Sequence, residues 1–240
     1  MNMRESASRS QLERALASHG LRLRGGFVPV PADAVPAMPH GAPPAIVWLV
    51  GHVGSQAWPH FSASPFLRDG LPDPLDRWSK SIGNSIAEAE GGCAIYPSDG
   101  PPWFPFQQWA RRVEPVATSP LMLLIHPQYG LWHAYRFALV LPQLHPVDAQ
   151  GLADAAHVPA TDVCATCDGQ PCLQACPVQA FTGTLYRVDA CATHLHASAG
   201  ADCMQGGCLA RRACPVAAGL RYVPEHAAFH MAAFRQARPN

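Results

Sequence analysis

The alternation of apolar and polar residues over the first 145 positions predicts helices interleaved with strands. The run AIVWLV at 45–50 is continuously apolar and short, which is typical of a strand that is buried on both faces. A helix is predicted to start at Asp73-Pro74 and to stop at Gly91-Gly92. Apolar residues recur at helical spacing inside it, namely Leu75, Trp78, Ile82 and Ile86. The Pro-rich stretch 29–44, which immediately precedes the strand, predicts a loop that covers the domain.

Weaker patterns add further elements to this part of the chain. Ser10 and Glu13 have the spacing of a capping box and predict a helix that ends before Gly20. Residues 93–96 predict a strand, 105–114 a helix, and 122–127 and 131–142 two strands joined at 127–130. The stretch 146–163 has few large apolar residues and predicts a linker. The expected organisation is therefore an α+β domain over 1–150 and a second domain over 151–240.

Composition and charge exclude several functional classes. Hydrophobic residues make up 48% of the 240 residues and charged residues 14%, with 17 basic and 17 acidic side chains. This balance argues against a nucleic-acid partner, which requires a basic surface. No apolar run approaches the roughly 18 residues of a membrane span, and the N-terminus does not resemble a signal peptide. We expect a cytoplasmic protein that does not bind membranes.

The cysteines indicate metal chemistry in the second domain. Eight of the nine lie between Cys164 and Cys214, and Cys-Pro occurs twice, at Cys176-Pro177 and Cys214-Pro215. In two-cluster iron–sulfur modules the cysteine before Pro ligates the other cluster. That exchange predicts two [4Fe–4S] clusters. One is assigned Cys164, Cys167, Cys172 and Cys214, and the other Cys176, Cys191, Cys203 and Cys208.

Other uses of these cysteines stay open at the level of sequence. Structural zinc sites also begin with Cys-x-x-Cys, and disulfides are a further alternative. His194 and His196 lie in the long gap after Cys191 and are alternative iron ligands or surface residues. Cys93 stands alone at the start of a predicted strand and is expected to be a small buried side chain.

No nucleotide-binding, zincin or serine-hydrolase motif occurs in the first 160 residues. One stretch stands out there, from Ile125 to Arg136 (IHPQYGLWHAYR). It resembles the I-H-P-x-x-G-x-W-x-x-x-R stretch of the CblC family, which processes cobalamin, and the order of elements over residues 8–145 is similar as well. The cysteine segment resembles the ferredoxin module of epoxyqueuosine reductases and corrinoid reductive dehalogenases.

These resemblances imply a nitroreductase-like cobalamin-binding domain followed by a ferredoxin-like domain with two [4Fe–4S] clusters. The implied cobalamin-binding residues are His126, Gly130, Trp132, Tyr135 and Arg136. In CblC proteins the matching arginine contacts glutathione or the corrinoid periphery. The proton donor, if one is needed, is not singled out, since His126, His133 and Tyr135 all qualify.

The function expected from this combination is a cobalamin reductase that binds base-off cobalamin and removes its upper axial ligand, by decyanation or dealkylation. The two [4Fe–4S] clusters are expected to relay the electrons from an external reductase, flavodoxin or ferredoxin. The alternatives are an epoxyqueuosine reductase-like enzyme acting on tRNA, a reductive dehalogenase and a ferredoxin-type carrier without corrinoid. Only Arg111-Arg112 and Arg211-Arg212 are paired basic residues, and Lys80 is the sole lysine, which disfavours a tRNA partner.

Overall fold

The computed structural model of the chain describes residues 8–38, 41–154 and 158–239. These residues form two compact units. Unit 1 is drawn from Met1–His52, Gln56–Glu114 and Ala134–Pro159, and unit 2 from Val53–Ser55, Pro115–His133 and Ala160–Asn240. The N-terminal segment 1–7, on which the expectation about targeting depends, lies outside the described residues, as do residues 155–157 of the expected linker.

The two units divide the chain differently from the boundary near residue 150 expected from the sequence. Residues 115–133 belong to unit 2, although they precede most of the last strand of unit 1. The stretch 146–163 is also not a simple linker, because it contains a helix over Pro146–Asp154. Pro146 at the first helical position and Asp148 in the first turn both favour a helix start there.

Unit 1 contains a four-stranded sheet. Its strands are β1 (Arg22–Phe27), β2 (Ile46–Val53), β3 (Cys93–Ile95) and β6 (His133–Leu141), and they lie in the order β1-β2-β6-β3. The β1/β2 and β3/β6 pairs are antiparallel. In the central pair the Ala45 N–H donates to the Leu141 carbonyl, while Gly51, six residues on, lies against Ala134, so β2 and β6 are antiparallel too. Every residue of β2 is buried, as the apolar run at 45–50 predicts.

Five helices accompany the sheet of unit 1: α1 (Arg9–Ala17), α2 (Trp58–Ala63), α3 (Pro74–Ala89), α4 (Phe106–Val113) and α5 (Pro146–Asp154). Helices α1 and α4 pack on β1, and α3 packs on β3. The predicted helices near residues 10, 74 and 106 are confirmed. The cap of α1 is different from the predicted one, because Ser8 rather than Ser10 precedes the helix and its N–H bonds to Gln11.

Unit 2 consists of short elements. Strands β4 (Ala117–Thr118) and β5 (Leu124–Ile125) form a two-stranded antiparallel sheet. The predicted strand at 122–127 is therefore shorter than expected and pairs with β4. The helices that follow are α6 (Pro171–Gln174), α7 (Val188–His196), α8 (Ala201–Gly206), α9 (Leu209–Arg212) and α10 (Pro224–Gln236).

The chain is thus an α+β protein with a small antiparallel sheet and flanking helices. In one core cluster of unit 2, three of the eight buried members are cysteines, Cys172, Cys176 and Cys214, packed with Leu121, Ile125 and Leu131. None of the helices in the described part of the chain has the length and apolar character needed to cross a bilayer.

Candidate functional site

The first predicted set of cysteines lines one cavity in unit 2. Cys164 and Cys167 lie in the turns before α6, Cys172 lies in α6, and Cys214 follows α9. All four thiols line the cavity, whose remaining wall is mostly apolar and includes Leu121, Ile125, Leu131, Val163 and Val216. The structure therefore brings together four thiols that the chain separates by up to 50 positions.

The second predicted set lines a separate cavity of the same unit. Cys176 follows α6, Cys191 lies in α7, Cys203 lies in α8, and Cys208 immediately precedes α9. The other lining residues are mostly apolar and include Pro177, Val178, Phe181, Leu195 and Met231. Helices α6 and α9 thus each place cysteines in both cavities. Each helix has a cysteine of one set at or near its start and a cysteine of the other set just after its end.

The pKa values of the thiols reflect this grouping. Burial raises the pKa of Cys164 to about 11, and the neighbouring Asp162 and Cys214 add to the rise. Burial likewise raises the pKa of Cys208 to about 11, with Cys203 adding to it. Each thiol that perturbs another cysteine belongs to the same set as that cysteine. Thiolates in these cavities are therefore disfavoured unless a positive group accompanies them.

Backbone N–H groups point at several of the sulfur atoms. The Ala180 N–H donates to the Cys176 Sγ at 3.3 Å. Backbone hydrogen bonds from Arg211 and Ala210 lower the pKa of Cys208, and one from Val216 lowers the pKa of Cys214, although burial raises both pKa values overall. Such donors stabilise negative charge on sulfur, as they do around iron–sulfur clusters.

Tyr186 is a residue of this region that sequence reasoning missed. Its hydroxyl hydrogen-bonds to the Cys191 thiol, which lowers the pKa of Cys191 against the larger effect of burial. The ring stacks on Phe181 at 4.5 Å between centroids and 12° between planes. Phe181 lines the second cavity. The only signal in the sequence was an aromatic pair five residues apart, flanking Gly183, in the gap before Cys191.

Disulfides and single-metal sites are the alternative uses of these cysteines. All nine cysteines are free thiols, so the disulfide alternative has no support. In the described ranges, no three His, Cys, Asp or Glu side chains come close enough together to hold a single metal ion. Each set instead lines a cavity of its own. Cys93 lies half-buried in β3 and belongs to unit 1, whereas the other eight cysteines belong to unit 2.

The two histidines of the gap have separate environments. His194 lines the second cavity beside Cys191, and its Nε2 has no hydrogen-bond partner in the described part of the chain. His196 Nε2 lies 2.9 Å from the Arg238 carbonyl and is exposed. His196 is consequently occupied elsewhere, whereas the four cysteines of the second set line the cavity without needing a histidine to complete them.

His126 and Gly130 close a tight turn in unit 2. The N–H of each donates to the carbonyl of the other, at 2.9 and 2.7 Å, and His126 stacks on Tyr129. Gly130 has a φ of +57°, and a Cβ there would lie 2.3 Å from the Val216 carbonyl oxygen. The turn therefore packs on the segment that follows Cys214, and it requires glycine for both backbone conformation and close approach.

Trp132, in unit 2, packs against the Tyr222 ring and the Arg211 guanidinium. It is 3% exposed and meets the Tyr222 ring edge-on at 5.6 Å. The Arg211 guanidinium lies 4.7 Å from the centroid of Trp132 and 4.5 Å from that of Tyr222. The Arg211 Nη2 also donates to the Leu131 carbonyl.

The other two predicted cobalamin residues lie in unit 1 and are engaged in ion-pair networks. The Tyr135 hydroxyl donates to Glu114, whose two carboxylate oxygens each accept a 2.8 Å hydrogen bond from Arg24. Burial raises the pKa of Glu114, against the lowering effect of Arg24. Arg136 donates to Asp76 at 2.7 Å and to Ser79 Oγ at 3.1 Å. The five residues thus divide into three in unit 2 and two in unit 1.

Comparison with known proteins adds no assignment. No family model matches the chain, and no curated protein matches it.

Proposed function

We propose that the chain is an iron–sulfur reductase that holds two [4Fe–4S] clusters in unit 2 and uses them to reduce cobalamin and release its upper ligand. The observation that carries the proposal is the division of eight cysteines into two sets of four around two cavities. When bound, the clusters supply electrons one at a time. The chain supplies the ligands, the apolar walls and the N–H donors directed at sulfur.

The residues present fit this cofactor. A [4Fe–4S] cluster takes four thiolates, and each cavity offers four. Buried thiols with raised pKa values are poor thiolates alone, but iron provides the positive charge that they lack. The first cluster is assigned Cys164, Cys167, Cys172 and Cys214, and the second Cys176, Cys191, Cys203 and Cys208. A ferredoxin-like character for residues 151–240 belongs to this proposal.

Cobalamin as the substrate is supported by the resemblance of residues 125–136 to the CblC stretch. His126, Gly130 and Trp132 from that stretch lie in unit 2, the unit that contains both cysteine sets. A nitroreductase-like character of unit 1, with Tyr135 and Arg136, rests on the same resemblance. Both Tyr135 and Arg136 already pair with acidic residues, Glu114 and Asp76. Contact between Arg136 and a corrinoid therefore requires the guanidinium to divide its N–H donors between the corrinoid and its present acceptors, Asp76 and Ser79.

The reaction that we propose for cyanocobalamin is a one-electron reduction with loss of cyanide. One electron reduces cobalt(III) to cobalt(II), and cyanide leaves with both electrons of the cobalt–carbon bond. The electron comes from an external one-electron donor of the flavodoxin or ferredoxin class, through unit 2. The residues of this chain bind the substrate and exclude water; no proton transfer is needed for cyanide to leave.

The test begins with anaerobic purification and analysis of iron and acid-labile sulfide. We expect about eight iron and eight sulfide per chain, as two [4Fe–4S] clusters require. Cys172→Ser should lower the iron content, because it removes a buried ligand of the first set, whereas Cys93→Ser should leave it unchanged. Zinc in place of iron, or equal loss of iron in both variants, would contradict the cluster assignment.

Titration with cyanocobalamin, followed in the visible spectrum, tests the substrate. A shift to the spectrum of base-off cobalamin, and cyanide release that depends on an added one-electron donor, are the expected results. Eight iron without any spectral change would contradict the cobalamin proposal and leave a ferredoxin-type electron carrier. Base-off binding without cyanide release would indicate cobalamin as a resident cofactor, as in the epoxyqueuosine reductase alternative.

A further inference from the structure

Unit 2 contains a third cavity, larger than the two cysteine cavities. It has a volume of about 320 Å³, which is within the range of small-molecule sites. Its wall is formed by the turn before α9, by α9 itself and by the start of α10. The lining residues that matter here are Trp132, Arg211, Arg212, Arg221, Tyr222 and His230. Cys208 lines this cavity and also the second cysteine cavity.

The cavity is strongly basic. Three arginines line it, and no Asp or Glu is among its lining residues. One acidic side chain is nearby, because Asp202 accepts a 2.6 Å hydrogen bond from Arg212, but Asp202 is largely exposed. Guanidinium groups bind carboxylates and phosphates through pairs of parallel hydrogen bonds. Several of them around one cavity indicate a negatively charged ligand.

Buried donors in this wall lack acceptors. Trp132 is 3% exposed, and its Nε1 has no hydrogen-bond partner in the part of the chain that the structure describes. The same holds for the buried Nε atoms of Arg211 and Arg212. A buried donor without an acceptor costs about 1–3 kcal/mol, but these three atoms have almost no accessible surface, so the cavity offers a ligand the remaining N–H groups of the guanidiniums.

Arg211 is held in place before any ligand arrives. Its guanidinium stacks on Trp132 and Tyr222 and donates through Nη2 to the Leu131 carbonyl. Little side-chain entropy therefore remains to be lost when an anion binds. The aromatic rings also exclude water from one side of the guanidinium, which strengthens its interaction with a negative charge.

A polar chain of three side chains ends at this cavity. Ser55 Oγ lies 3.0 Å from His226 Nδ1, and His226 Nε2 lies 3.1 Å from His230 Nε2. Only one hydrogen lies between the two Nε2 atoms, so one imidazole donates and the other accepts. A change of tautomer at His226 therefore exchanges the donor and acceptor roles in this hydrogen bond, and the tautomer of His230 changes with it. The cavity therefore presents an adaptable hydrogen-bonding group besides its fixed cations.

We propose that this cavity is a binding site for a small molecule that carries a phosphate or carboxylate group. The anionic group is bound by Arg211, Arg212 and Arg221, and the ligand lies against Cys208. The proposal does not depend on cobalamin, because every residue that carries it lies in unit 2 and none was implied by the resemblance except Trp132. A ligand here is adjacent to a predicted ligand of the second cluster.

The site is tested on the iron-loaded protein by isothermal titration calorimetry with pyrophosphate and, separately, with citrate, at constant ionic strength set by chloride. We expect one of these probes to bind at one site per chain. Arg221→Gln should raise its dissociation constant about tenfold, the usual effect of losing one charge-assisted hydrogen bond. Arg238→Gln is the matched control, because Arg238 lies over Phe234 and does not line the cavity.

Each outcome decides the proposal. Binding of pyrophosphate alone assigns a phosphate ligand, and binding of citrate alone assigns a carboxylate. Arg211→Lys keeps the positive charge but removes the planar guanidinium, so it should weaken binding of the probe. Its iron content should be unchanged, which shows that the variant is still folded. Failure of both probes to bind, or equal affinity in Arg221→Gln and Arg238→Gln, would overturn the proposal and leave the cluster and cobalamin tests unaffected.

Discussion

The hydrogen bond from Tyr186 to Cys191 gives a direct test of the proposed second cluster, because it should tune the reduction potential of that cluster. Tyr186→Phe removes the hydroxyl that reaches the thiol and keeps the ring that stacks on Phe181. A donor to a cluster sulfur stabilises the more negative, reduced state. Removing it should therefore lower the reduction potential of that cluster.

The size of the shift follows from the strength of one hydrogen bond. A hydrogen bond to a charged group contributes about 1.5 kcal/mol. For a one-electron couple, about 1.4 kcal/mol corresponds to roughly 59 mV. Because the bond is present in both oxidation states and only its difference counts, we expect a lowering of a few tens of millivolts and no more than about 60 mV. The cluster of the first set should keep its potential.

The assay is a dye-mediated redox titration of the anaerobic protein, followed by electron paramagnetic resonance. Tyr96→Phe serves as the matched control, since it removes a buried hydroxyl in unit 1 that bonds to Asn84. Two unchanged potentials in Tyr186→Phe, with full iron content, would refute the inference that this hydroxyl acts on the cluster. A rise in potential would contradict the sign of the reasoning.

Two further predictions concern stability. Glu114→Gln should destabilise unit 1 by about 3 kcal/mol, measured by urea denaturation, because it leaves the Arg24 guanidinium, 1% exposed, without its buried carboxylate; a loss below 0.5 kcal/mol would show that the pair is dispensable. Gly130→Ala should destabilise unit 2 by more than the roughly 1–2 kcal/mol of a left-handed backbone, because its Cβ would meet the Val216 carbonyl. Gly70→Ala, at a φ of +73° with nothing within 4 Å, isolates the backbone contribution, and equal losses in the two variants would contradict the steric part.

The sequence predicted well those features that depend on local periodicity or on motif spacing. The apolar run at 45–50 and the helical spacing after Asp73 each led to an element that the structure contains. The two Cys-Pro dipeptides led to the same two sets of cysteines that line the two cavities. In these cases the residues themselves carry the geometry, through burial or through the turn that proline imposes.

Features that depend on contacts between distant segments were not predictable. Tyr186 hydrogen-bonds to Cys191 while its ring stacks on Phe181, and a sequence pattern does not reveal either contact. The assignment of residues 115–133 to unit 2 depends on the packing of Ile125 and Leu131 against the cysteine core. Helix α5 was missed because small residues dominate 146–154, so apolar periodicity is weak there.

The placement of α6 and α9 between the two cysteine sets has a consequence for the assembly of the two proposed clusters. Cys172 lies in one short helix and Cys176 follows it, and Cys208 and Cys214 flank the other, so each cavity shares two backbone segments with its neighbour. Helices of four residues have little stability of their own. We therefore expect occupation of one cavity to order part of the other. We expect cluster insertion to be cooperative, with half-loaded chains scarce during assembly, and oxidative loss of one cluster to hasten loss of the second.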